Sequence, residues 1–168
     1  MANTYEKIAS ISTYGVLFYE FTAIPATYTD LMIRSSIRTD RPSTHETLLL
    51  QFNSTNSNRT NRRIYAYGTS ATADGVETTM YGGQASAASN TASCFGSGTV
   101  YITNYTTARD KMSTELGASQ SNNTNKILDL NVNRWNDSAA ITTIRLTPEN
   151  GYTIQQYSTA DLYGIKKN

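Results

Sequence analysis

Apolar and polar residues alternate with a period of two wherever this chain forms a run, and no stretch sustains the 3.6-residue period of a helix. Ile127 to Trp135 is the clearest case: Leu128, Leu130 and Val132 fall on one face, Asp129, Asn131 and Asn133 on the other. That pattern predicts an antiparallel strand with its apolar face on a core and its polar face in water. The same reading predicts strands at 16–21, 31–37, 63–67, 75–81, 99–105 and 141–146, and one bent or two short strands over 152–165. Leu48, Leu50 and Phe52 alternate with Leu49, Gln51 and Asn53 to make a further one. Pro25, Gly68 and the Gly82–Gly83 pair punctuate the series. Only 85–91 and 108–117 have room for a helical turn.

The expected fold is therefore all-β: an antiparallel β-sandwich, jelly-roll-like, of about eight to nine strands, with an immunoglobulin-like sandwich as the near competitor. Residues 15–168 form the single sandwich domain, and residues 1–14, with Ile8 and Ile11 alternating, form an N-terminal attachment segment or strand. Two polar stretches, 53–63 and 117–125, lack apolar periodicity and are expected as exposed hairpin loops. Strand character persists to Ile165, with Lys166 and Lys167 behind it. This predicts a last strand sewn into a sheet and blunted by charge.

Composition reinforces the β reading. Thr, Ser and Asn supply about a third of the 168 residues, whereas charged residues are only 16% against a norm of about 25%. Twelve tyrosines add rings that sit half in a core and half in water. A net charge of +1 creates no field to attract nucleic acid or an anionic membrane, so neither is an expected partner. No basic start followed by an apolar run directs secretion, so the five Asn-x-Ser/Thr sequons (at Asn53, Asn58, Asn104, Asn122 and Asn136) carry little weight.

Catalytic equipment is thin. His45 is the single histidine and Cys94 the single cysteine, which leaves no set of His and Cys ligands for zinc and no internal disulfide. His45 reads as a loop or strand-edge residue, and Cys94 as a small buried hydrophobe. The Gly96-Ser97-Gly98 stretch lacks the flanking glycines of a nucleophile elbow and reads as a turn. The carboxylates are scattered, with no calcium-loop spacing. No catalytic residue, cofactor or metal is expected.

Two features are candidates for contact with a partner. Arg59, Arg62 and Arg63 precede Tyr65 and Tyr67, an interleaving of charge and rings that reads first as a solvated loop whose tyrosines belong to a strand, next as a contact for a protein surface or a glycan, and in a more basic chain would bind single-stranded nucleic acid. Trp135 stands in "NRWNDS", where polar neighbours could bind the hydroxyls of a sugar stacked on its ring; the alternative is packing at the core or its rim.

"YTDLMIRSSIR", "LLLQFN", "FGSGTVYITNYT", "RWNDSAAITTIRLTP" and "YSTADLYGI" follow one another between residues 28 and 165. As an ordered set they resemble the domain that recurs among virion-surface proteins of tailed bacteriophages, marine and cyanobacterial phages especially. The resemblance implies a jelly-roll-like sandwich, usually oligomeric, serving as a capsid decoration protein or a head or tail fibre domain, and it implies no catalytic residues. The expectation is a non-enzymatic decoration (cement) protein, made in the host cytoplasm and placed on the virion surface. Its partners would be the major capsid protein or other virion proteins, with the chain itself a homotrimer. The alternative is a glycan- or receptor-binding fibre domain that contacts a host surface glycan.

Overall fold

The computed structural model describes residues 4–121 and 125–166. Among them twelve strands form and no helix: β1 (Tyr5–Ile11), β2 (Tyr19–Phe21), β3 (Asp30–Ile37), β4 (His45–Phe52), β5 (Arg59–Tyr67), β6 (Ser70–Glu77), β7 (Tyr81–Ser86), β8 (Gly96–Thr103), β9 (Lys111–Ser121), β10 (Asn125–Trp135), β11 (Ile144–Pro148) and β12 (Thr159–Ile165). They make an eight-stranded sheet in the order β1-β12-β3-β8-β9-β10-β5-β6 and a four-stranded sheet in the order β2-β11-β4-β7, antiparallel throughout.

Setting aside the hairpins β5–β6 and β9–β10 leaves two four-stranded sheets, β1-β12-β3-β8 and β2-β11-β4-β7. In this frame β1 pairs with β12, β2 with β11, β3 with β8 and β4 with β7. The chain is thus one long hairpin whose successive arms cross from sheet to sheet, which is the jelly-roll arrangement and not the immunoglobulin one. The two inserted hairpins both extend the same sheet, so the larger sheet overhangs the smaller.

The strand count exceeds the expected eight to nine for local reasons. The lead segment supplies β1, the run read as one strand over 75–81 divides into β6 and β7, and the segment considered for a helical turn at 108–117 contributes to β9 instead. Pairing with β8 and β10 along its length overrides the helical preference of residues such as Glu115 and Leu116. The polar stretch 53–63 is a turn only as far as Asn58, because Arg59 onward pairs with β10. The other polar stretch belongs to β9 and β10 at its ends, while its centre, 122–124 with the sequon at Asn122, lies outside the described residues.

The core fills the space between the sheets. Leu31, Ile33, Ile37, Val100, Ile102 and Leu162 of the large sheet meet Tyr19, Phe21, Leu48, Leu50, Phe52, Ile144 and Leu146 of the small one. β7 presses so closely on β8 and β9 that a Cβ at Gly96 would stand 2.6 Å from the Ala85 Cα, and one at Gly117 2.9 Å from the Gln84 amide nitrogen. "FGSG" is therefore not a turn but the glycine-bearing start of β8, where backbone meets backbone. Part of the asparagine content serves the turns: Asn53, Asn58 and Asn104 take left-handed conformations (φ 50°, 59° and 48°), which asparagine tolerates better than most residues.

Candidate functional site

β5 and β10 carry all six residues singled out by sequence as contacts, and their register sorts them. Opposite pairs are Arg59 with Trp135, Asn61 with Asn133, Arg63 with Asn131, Tyr65 with Asp129 and Tyr67 with Ile127. Across the next ladder Trp135 faces Lys111, Asn133 faces Ser113, Asn131 faces Glu115 and Asp129 faces Gly117. Directly opposite residues share a face of the sheet, so all of these belong to the inner side, under β7.

The inner side is polar, which reverses the expected orientation of β10. Asp129, Asn131 and Asn133 are 1%, 0% and 0% exposed, while Leu128, Leu130 and Val132 are 50%, 48% and 42% exposed. The ends of the strand decide this. Trp135, 2% exposed, packs edge-on against Phe52 of the core with ring centroids 5.8 Å apart. Trp135 and Ile127 are both buried and lie in phase with Asp129, Asn131 and Asn133, and a one-residue slip would expel them.

Most of these buried polar side chains are held by a neighbour, whereas Asn61 has neither its amide nitrogen nor its amide oxygen paired. Arg63 donates through Nε (3.0 Å) and Nη2 (2.8 Å) to Asp129 Oδ1 and through Nη2 (2.8 Å) to Oδ2, a forked ion pair. Gln84 of β7 donates its side-chain amide to the same carboxylate and, at 3.4 Å, to Thr47 Oγ1. The Arg63 guanidinium lies between the rings of Tyr65 and Tyr81, 4.6 and 4.7 Å from their centroids. Burial works against its charge, but Asp129 more than compensates and raises its pKa. Asn131 donates to Glu115, Asn133 donates to Tyr81 O (3.0 Å) and Ser113 Oγ (3.2 Å), and Lys111 Nζ donates to the carbonyls of Arg109 (2.6 Å) and Asp137 (3.2 Å). Desolvation pushes the Glu115 carboxyl up to about 8, helped by nearby Asp129 and opposed by Asn131 and Arg63.

Where the large sheet overhangs the small one, a cavity of about 300 Å³ opens between β4, β5 and β7. His45, Thr47, Arg63, Tyr65, Tyr67, Gln84 and Ile127 line it. Arg63, Tyr65 and Tyr67, three of the six residues singled out, thus line one cavity. Arg62 projects from the opposite face. Arg59 lies at the far end of β5, with Nε and Nη1 buried and unpartnered and its pKa lowered by that burial. Trp135 is a core residue, so its ring is no surface platform for a sugar. The alternation of β5 thereby divides the three arginines, and no basic stripe forms on this strand.

His45, Thr47 and Gln84 were not singled out as contacts. His45 opens β4 beside Tyr67, ring centroids 5.8 Å apart, and burial, aided by Arg41 and Arg63, lowers its pKa and favours the neutral ring. Only long-range pairing brings these residues to β5, and local sequence carries no mark of it. Cys94 is half-buried before β8, where it accepts a hydrogen bond from the Gln120 amide (2.7 Å). Among the described residues no three His, Cys, Asp or Glu side chains gather to hold a metal.

On the outer side, Leu130 stands between Ile64 and Leu116, Leu128 between Ala66 and Ala118, and Val132 between Arg62 and Thr114. With Met112 they form a continuous exposed apolar face across β5, β10 and β9. Comparison with protein-family models, curated proteins and solved structures returns no match.

Proposed function

We propose that this chain is a non-enzymatic structural protein of a phage virion surface, a decoration protein that works as a homotrimer seated on the major capsid protein. The particle assignment rests on the resemblance of residues 28–165 to virion-surface domains and on the jelly-roll frame. The assembly assignment rests on one observation: β5, β10 and β9 turn polar residues inward and apolar ones outward.

Such a sheet suits a subunit whose outer face is covered. Ile64, Met112, Leu116, Leu128, Leu130 and Val132, each two-fifths to three-fifths exposed, offer about 500 Å² of apolar surface, within the range of a monomer's largest patch and over half of the ~800 Å² each partner gives to a stable interface. The occupant is further copies of the same chain. Sheet faces pack on sheet faces with interleaved side chains, and a net charge of +1 lets three copies gather these faces on a common axis with little repulsion.

Cryo-electron microscopy of the particle that encodes the chain, with the mass of the purified protein in solution, tests both parts. Density at regular capsid-lattice positions and a mass of three copies are expected. Density confined to a fibre or tail tip would overturn the decoration assignment, and a monomeric mass at micromolar concentration would overturn the assembly assignment.

A further inference from the structure

The cavity between β4, β5 and β7 is separate from the apolar outer face, and its chemistry is of another kind. Arg63, the charged group of its lining, is already paired: its guanidinium and the Asp129 carboxylate are locked in a forked pair, the carboxylate further capped by Gln84. An anionic ligand would gain little from an arginine already neutralised, and a cationic one would meet a carboxylate whose oxygens are occupied. His45 adds no charge at neutral pH, since burial favours its unprotonated ring.

Uncompensated hydrogen-bonding capacity remains on neutral groups. Gln84 is 1% exposed, and its Oε1 is buried with no partner while its amide nitrogen is committed to Asp129 and Thr47. That oxygen is sealed from solvent, so Gln84 holds the cavity wall in place through its amide nitrogen, and the groups open to a ligand are those of its neighbours. Tyr65 and Tyr67 add phenol groups and ring faces, and His45 adds a ring nitrogen. Several of these groups are fixed before any ligand arrives: Arg63 is clamped between Tyr65 and Tyr81, and Tyr67 lies against His45. Preorganisation of this kind lowers the entropy cost of binding.

We propose that this cavity binds a neutral saccharide unit, its hydroxyls paired with the tyrosine phenols and His45, and its C–H face laid on the Tyr65 or Tyr67 ring. About 300 Å³ is at the low end of ligand-sized cavities and suits one sugar ring with the rest of a glycan outside.

The test is titration of the full-length ¹⁵N-labelled chain with glucose, galactose, mannose and N-acetylglucosamine, and with glucuronate and N-acetylneuraminate as anionic counterparts, each up to roughly 100 mM. At least one neutral sugar is expected to give saturable shifts at the Gln84 side-chain amide and the amides of Thr47 and Tyr65. Tyr67→Ala, a substitution at a side chain 42% exposed, is expected to weaken that sugar's binding by about tenfold with the thermal midpoint unchanged; His45→Ala provides a second variant should the first fail to fold. No saturable shift with any neutral sugar, shifts with the anionic sugars alone, or binding that survives both substitutions would overturn the proposal.

Discussion

Asp129 and Leu130 are adjacent on β10, yet the aspartate is 1% exposed and the leucine 48% exposed. The carboxylate is buried against Arg63 and Gln84, while the leucine stands on the outside between Ile64 and Leu116. A charge in the interior and an apolar side chain in water both cost free energy in an isolated subunit. The forked pair offsets the first, and only a covering surface offsets the second.

Leu130→Arg is accordingly expected to leave the fold intact and abolish assembly. The side chain touches no core residue of its own subunit, and surface substitutions of this kind ordinarily change stability by about 0.5 kcal/mol or less. In the centre of a buried interface the same charge has no partner. Light scattering coupled to size exclusion should show the variant at the mass of one copy while its far-UV circular dichroism matches that of the parent. An unchanged oligomeric mass would move the interface elsewhere.

Breaking the buried pair should act on the fold. Asp129→Ala leaves the Arg63 guanidinium unpaired in the interior, and losses of about 3–5 kcal/mol accompany the removal of one partner from such a pair. Glu6→Ala removes the partner of Lys166 in an ion pair whose side chains are half exposed, and exposed pairs contribute about 1 kcal/mol or less. Urea denaturation of the two variants should separate them clearly. Equal midpoints would mean that the Arg63–Asp129 pair contributes no more than a surface contact.

The jelly-roll class was legible because alternation, turn residues and strand spacing all point one way, and the C-terminal strand because β-formers persist to Ile165. The facing of β10 was misread because the rule that puts leucines inside assumes an apolar core under every strand, whereas the space beneath β10 is filled by paired polar groups. The corrective signal was in the chain: Ile127 and Trp135 share the phase of Asp129, Asn131 and Asn133, and Lys111, Ser113 and Glu115 alternate likewise on β9. Arg63, Tyr65 and Tyr67 could be grouped from their spacing on one strand. His45, Thr47 and Gln84 could not, since they reach the cavity through pairings tens of residues away.

Glu115 makes stability depend on pH. Its folded-state pKa is pushed up to about 8 from 4.5, so the folded chain holds a proton that the unfolded chain releases. Its contribution is complete below about 4.5 and is lost as pH rises through about 8, at no more than ~1.4 kcal/mol per pH unit for one proton. His45, with its pKa lowered from 6.5, acts in the opposite sense, its contribution lost as pH falls below that value. Glu46, raised by burial, acts in the same sense as Glu115, and Lys111, lowered by burial, in the opposite one, so the comparison with a Glu115 variant between about 6.5 and 8 identifies the carboxyl. The parent should lose stability across that interval, and Glu115→Gln, which keeps an acceptor for Asn131, should show a flatter profile and higher stability at pH 8. Parallel profiles in chemical denaturation would remove Glu115 as the source.

Ending the chain after Ser158 should abolish folding. The deletion removes β12, which lies inside the large sheet with β1 on one side and β3 on the other. Ala160, Leu162 and Ile165 leave the interior with it, and β1 loses its ladder partner. No neighbouring strand can close the gap, because Leu31, Ile33 and Ile37 on β3 would then border an open edge. A gentler probe of the same strand is Gly164→Ala. Its Cβ would lie 2.3 Å from the Tyr28 ring, so the ring must shift, and the melting temperature should fall without loss of the fold. Circular dichroism and solubility read out both variants. A soluble, cooperatively melting protein without β12 would show that the sandwich closes by pairings other than those described.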